Sequence, residues 1–381
     1  MKDLKAIALA SLLALSARPA LGQVGHIHEL FYNNADWSDT DLTSLTGANP
    51  ASSFAGMAAF VTSPNGQFHV YYQDEFSDIH EFYYNGSAWS DSDLTTVTGG
   101  AGALSGGSAM SGFSAGNFQY VYFVAWNQHI HEYSYVDNWV DTDLTALTGD
   151  KPLAGPAYDG KHLVAVLTSD NHRHVFLATK TGAIEQLTFN GSSWAKQNVS
   201  GKTRAKANIN SFDYWMGACN INTYSFVFFS DPDFHLHEFS YIKHWTDTDL
   251  TAQTGVTTGG SVSVLSDPGI SVCAVFYNGS NGDVHQISND GTGVEFENDR
   301  DLTVLTGGGG NVYGAAGFST TPNNQMHFYT TSSSGVDQFY FNGTSWSFQN
   351  LPGGSYWEPY GLAGFNVGNE QHVYYLASAP D

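Results

Sequence analysis

Short apolar stretches recur along the whole chain in a fixed order, each bounded by glycine, asparagine or aspartate. One kind is aromatic and β-branched: FHVYY from Phe68, YVYFVAW from Tyr120, HRHVFLA from His172, YSFVFF from Tyr224, SVCAVFY from Ser271, QMHFYT from Gln325 and QHVYYLA from Gln371. A second kind begins IHELFY at Ile27 and IHEFYY at Ile79, with counterparts at Ile130, Ile184, Leu236, Val284 and Val336, starts 48 to 54 residues apart. A third kind precedes each aromatic stretch and is made of small residues, as in AGMAAF, SAMSGF, LAGPAY, YWMGAC, SVSVL, YGAAGF and YGLAGF. A fourth follows a tryptophan. Stretches this short, separated by turn dipeptides, are strands. Asn85-Gly86, Asn190-Gly191 and Asn342-Gly343 mark turns between strands three and four, and Pro64-Asn65-Gly66 and Asp159-Gly160 turns between strands one and two.

Four antiparallel strands per unit of about fifty residues, seven times over, predict an all-β fold: a seven-bladed β-propeller. Strand one, rich in Gly and Ala, suits the crowded centre. The phase of the repeat is offset. The first unit starts at strand three and the last stops after strand two, so residues 27–47 are expected to complete the blade begun by 360–377. That makes residues 23–381 one domain. A linear β-solenoid is the competing architecture, and the complementary ends count against it.

Residues 1–22 carry Lys2 and Lys5, an apolar run from Ala6 to Leu15 and a small-residue exit, the layout of a secretory signal peptide. The expected location is secreted or periplasmic. A net charge of -23, from 13 Lys and Arg against 36 Asp and Glu, excludes a nucleic-acid backbone or an anionic membrane as main partner. Eight of the thirteen basic residues fall between 151 and 206, making one sector less acidic. Cys219 and Cys273 lie in apolar strand contexts and read as two buried thiols rather than a bridge. Four of the five sequon asparagines (Asn85, Asn190, Asn278 and Asn342, with Asn198 the exception) precede glycine and read as turn residues.

Candidate chemistry repeats as the strands do. Strand three carries Glu29, Glu81, Glu132, Gln186, Glu238, Gln286 and Gln338, and the preceding position is mostly histidine. Strand four begins with Trp37, Trp89, Trp139, Trp194, Trp245 and Trp346; the sixth unit has none. Alternation points the histidines and the Glu/Gln series to opposite faces. Seven similar acceptors are unlike a catalytic site, which is built once from unlike groups, so no enzyme is expected. Indole faces beside carboxylate or amide oxygens suit sugar C–H surfaces and hydroxyls. The same residues also suit interblade packing, and the sequence leaves both readings open. The Asp-x-Asp pairs after the tryptophan, such as Asp91 and Asp93, read as turn formers before calcium ligands. The pairs His26/His28, His129/His131, His172/His174 and His235/His237 have a spacing that suits zinc or copper, but no third ligand recurs beside them in sequence, and packing is the preferred reading. No phosphate loop, serine elbow or cofactor motif is present, and neither metal nor cofactor is expected in the sites.

These units, from the aromatic strand two through IHEFYYNGSAW to the closing DLTTVTG, resemble the seven-bladed propeller lectins of the Photorhabdus type and, more distantly, the six-bladed fungal fucose-binding lectins. The resemblance spans residues 26–377. It implies a metal-independent lectin binding fucose-like or O-methylated glycans between blades, at the tryptophans and Glu/Gln residues named above, and a possible homo-oligomer. The pocket arginine of the fungal type is not repeated, the arginines beyond residue 22 being Arg173, Arg204 and Arg300. A protein-interaction propeller is the alternative, and a secreted carbohydrate-active enzyme a weaker one.

Overall fold

A computed structural model describes residues 24–378 apart from 54–55, 106–107, 150–161, 204, 208–215, 268–271, 290–294, 310–314, 321–324, 333–334 and 354–360. Seven antiparallel sheets follow one another along the chain. Blade one consists of Met57–Val61, Phe68–Gln73, Ile79–Tyr84 and Trp89–Asp93, from the inner strand outwards. Blades two to six repeat that order, ending with outer strands Trp139–Asp143, Trp194–Asn198, Trp245–Asp249, Phe296–Asp301 and Trp346–Asn350.

Blade seven is a composite. Its inner strands are Leu362–Val367 and Glu370–Ser378, and its outer ones are Val24–Tyr32 and Trp37–Asp41. The ladder joining the two ends runs from Gly25 opposite Ser378 to Tyr32 opposite Gln371. Inner strands of successive blades touch all the way round, and blade seven touches blade one, so the ring is closed. Their small residues are required by that crowding: a Cβ on Gly217 would lie 2.2 Å from Val264 Cγ2 of the next blade.

Apolar burial follows the same plan. Seven clusters of buried side chains occupy the seven contacts between neighbouring blades, such as Ile79, Tyr71 and Phe123 between blades one and two. Each blade is therefore core for two others. The DLT segments form one-turn helices after most outer strands. Asp41, Asp93, Asp143, Asp249 and Asp301 cap them, accepting from the amides of Ser44, Thr96, Ala146, Ala252 and Val304. The second aspartate of each pair is thus a turn former, as its sequence context suggests.

Three expectations need correction. The LAGPAY segment and Asp159-Gly160 lie outside the described residues, and the inner strand of blade three is Leu163–Leu167, so that dipeptide does not join strands one and two. LVAVL is bulkier than the other inner strands, which hid it. Cys219 and Cys273 are joined in a disulfide, Cα atoms 6.3 Å apart, linking the inner strand of blade four to the second strand of blade five. They are 54 residues apart in sequence and come together only through blade packing. Asn278 is a buried strand residue rather than a turn residue, whereas Asn85, Asn190 and Asn342 do shape their turns by accepting from the amides two and three residues on. Among the described residues no helix is long and apolar enough to cross a membrane.

Candidate functional site

The outer-strand indole of each blade reaches the preceding blade. Trp139 meets Tyr71 edge-on with ring centres 6.0 Å apart, and Trp89 meets Tyr374, Trp194 Tyr122, Trp245 Phe176, Trp346 Phe276 and Trp37 Tyr329 in the same way. The other side of each indole leans on an aromatic ring of its own third strand, as Trp89 does on Tyr84. Blade five puts Phe296 against Phe226 and Phe228 instead. Trp245 is buried, and its indole N–H has no partner; the other five tryptophans stay half-buried.

The Glu/Gln series faces these same contacts, and all seven members are buried. Ladder register places each one opposite the ring that meets the next blade's indole, or Phe296 in the case of Glu238: Glu81 opposite Tyr71, Glu132 opposite Tyr122, Glu29 opposite Tyr374 and Gln338 opposite Tyr329. A blade's acceptor is therefore grouped with the following blade's tryptophan, not with its own. At the contact of blades one and two, His69 Nδ1 (2.7 Å) and the Tyr71 hydroxyl (3.0 Å) both approach Glu81 Oε1, and the Tyr71 oxygen also touches the side-chain amide of Gln119 of blade two. At the contact of blades seven and one, His372 (2.9 Å) and Tyr374 (3.0 Å) converge on Glu29 Oε1.

Exchanging Glu for Gln reverses the bond to histidine. Gln186 and Gln338 donate an amide proton to Nδ1 of His174 and His327, at 2.7 and 2.9 Å. Burial, with a smaller contribution from His172, lowers His174 to about 4, and burial lowers His327 to about 4. Both rings are neutral acceptors at neutral pH. Beside Glu29 and Glu81 the imidazole Nδ1 instead donates to the carboxylate, so the direction of this hydrogen bond changes with the acceptor residue.

Blade two differs. Tyr120 stands where others have histidine, and Arg173 of blade three donates to Glu132 Oε2 at 2.8 Å. Its guanidinium lies 4.1 Å from both the Tyr120 and Phe189 ring centres and 5.2 Å from that of Trp194. Burial still holds Glu132 above the ordinary carboxyl range, against the opposing pull of Arg173. At blade four, burial raises Glu238 to about 7, Ser240 opposing and Asp247 adding to the rise. Gln286 of blade five accepts from Arg300 at 3.2 Å.

Sequence reasoning missed the second-strand partners His69, His174, His327 and His372, and the residues Gln119, Arg173 and Gln371 that reach back from the next blade. Their signal is a histidine or tyrosine 11 or 12 residues ahead of the Glu/Gln in His69/Glu81, Tyr120/Glu132, His174/Gln186 and His327/Gln338. The third-strand histidines face away, as alternation requires: His80 is 3.0 Å from Asp91, His131 2.7 Å from Asp141 and His237 2.8 Å from Asp247. The basic sector is partly spent inside the fold, since Arg173 is buried and Lys196 pairs with Glu185 at 2.8 Å; Lys151, Lys161 and Arg204 lie outside the described residues.

No family model matches the chain, and no curated protein matches its sequence. Solved structures do share the fold. The BP39L lectin of Burkholderia pseudomallei matches with a TM-score of 0.57 at 15% identity, over 86% of this chain and 96% of that one. AofleA of Arthrobotrys oligospora gives 0.55 at 14% identity, over 93% and 94%. A fungal lectin of Aleuria aurantia, described as a six-bladed β-propeller with a novel fucose recognition mode, gives 0.50 at 14%, over 78% and 95%. At such identities the likeness is one of fold.

Proposed function

We propose that this protein is a non-catalytic, multivalent carbohydrate-binding propeller that takes fucose-like or O-methylated sugars at the contacts between blades. One observation carries the reading: repeatedly around the ring, a half-buried indole of one blade and a buried Glu or Gln of the preceding blade are brought to the same second-strand aromatic ring. At Glu29 and Glu81 both intramolecular bonds fall on Oε1, which leaves Oε2 to accept a sugar hydroxyl while the indole stacks on C–H groups. Several weak sites on one ring gain from avidity on a glycan-covered surface. The fold shared with fucose-recognising lectins supports this, and the disulfide suits an exported protein.

Trp139 and Glu81 make the decisive test. Glycan arrays and calorimetry with L-fucose, its methyl glycoside and O-methylated sugars should show saturable binding in the millimolar range or tighter. Trp139→Ala should remove one class of site while the fold persists. A folded wild-type protein that ignores every sugar overturns the reading.

A protein-interaction role is the second reading, favoured by apolar side chains exposed on the helical turns, among them Leu45, Val97, Leu147 and Val304. Binding to a protein partner that persists in excess monosaccharide would support it.

A further inference from the structure

The pair His129 and His131 gains a third donor that is distant in sequence. Ladder register sets Asp143 directly opposite His131. Asp143 Oδ2 then lies 2.6 Å from His129 Nδ1 and 3.8 Å from His131 Nε2, and the three donor atoms are within 4.8 Å of one another. Zinc bonds of about 2.0–2.2 Å place tetrahedral donors roughly 3.3–3.5 Å apart, between the two measured separations.

Two of the remaining atoms of these side chains are already committed. Asp143 Oδ1 accepts from the Ala146 amide at 2.8 Å. His131 Nδ1 donates to Asp141 Oδ1 at 2.7 Å, which puts the lone pair on Nε2; the Asn127 amide donates to that lone pair at 3.2 Å and is the group a metal ion would displace. A carboxylate behind a ligating imidazole is the usual support of a zinc site. Side-chain exposure of 19% for His129 and 28% for Asp143 leaves the cluster open to ions.

Blade seven supplies an internal contrast. His26 and His28 sit 2.8 and 3.8 Å from Asp41 Oδ2. There Ser44 donates its hydroxyl to that same oxygen at 2.6 Å, and in blade one Thr96 does so to Asp93. Blade two carries Ala146 at this position, which keeps the oxygen clear of a hydroxyl donor. In blade four Asp231 Oδ2 stands 3.3 Å from His237 Nε2, and His235 completes a second cluster.

We propose that His129, His131 and Asp143 form a binding site for a divalent transition metal of the zinc class, with an open fourth position, and that Asp231, His235 and His237 form its counterpart in blade four. Both lie on the blade face opposite the Glu/Gln series, so sugar binding is independent of them.

The test uses the full chain stripped with chelator and then titrated with Co²⁺ followed by absorbance and with Zn²⁺ by calorimetry. Two saturable equivalents per chain are expected. His129→Gln, a half-buried change, should leave the fold intact by circular dichroism and remove one equivalent. Ala146→Ser should weaken that equivalent about tenfold by occupying Asp143 Oδ2. Absence of saturable binding below about 100 μM free Zn²⁺, far weaker than structural zinc affinities, overturns the proposal. So does a stoichiometry of two in folded His129→Gln. Sugar binding measured on the same samples should be unchanged by chelator.

Discussion

Glu238 is a buried carboxyl in a largely aromatic contact. Its ladder partner is Phe228, and the next blade contributes Phe296 to the same contact. With its pKa raised from 4.5 to about 7, mainly by burial, the fold holds this proton more tightly than the unfolded chain does. The stabilisation is complete below pH 4.5 and is lost as pH rises through about 7. Glu238→Gln should therefore match the wild type near pH 4.5 and exceed it at pH 8, by on the order of 2 kcal/mol. Melting temperatures across that range check it; parallel curves for the two proteins would refute the assignment. His80 has the same sign for a different reason. Burial works against its charge, but bonds to Asp74 and Asp91 and their charges outweigh it and raise the ring from 6.5 to about 9. That contribution is present below pH 6.5 and fades as pH rises through about 9. The stability deficit of His80→Gln should accordingly be larger at pH 6 than at pH 10 in denaturant titrations.

At the level of strands and turns, the aspartate caps are a separable contribution. Asp93→Ala should cost about 1 kcal/mol in urea titration and leave the ring closed. A neutral result would mean that the helical turn is held by Leu94 alone, which is fully buried beneath it. These elements were legible in the sequence because their signals are local: Asn-Gly turns, the Asp-Leu-Thr cap and aromatic strands. Blade three's inner strand was not, since its valines and leucines lack the small-residue signature of the other six. The site was legible only in part. The indoles and the acceptors stand out as repeats, but the partners of Glu81 and Glu132 arrive across a ladder or from the next blade, where linear spacing carries little signal. The third donor beside His129 was hidden for the same reason, lying twelve residues from His131 yet directly opposite it.

Taken whole, the molecule distributes its core among seven contacts, and one of them is stapled. The cross-link between Cys219 and Cys273 fastens blade four to blade five where the incoming residue of other blades is Gln119, Arg173 or Gln371. Replacing both cysteines with serine should lower stability by about 2–4 kcal/mol, read by chemical denaturation against the oxidised parent. An unchanged midpoint would show that packing alone secures that contact. The composite blade has a consequence for biosynthesis. Val24–Tyr32 and Trp37–Asp41 are translated before the other six blades, yet their sheet is unfinished until Glu370–Ser378 emerges, so these two strands wait with an unpaired aromatic edge while those blades are made. Ring closure therefore waits for the last inner hairpin of the repeat, and a chain interrupted before Glu370 leaves the first hairpin open to aggregation.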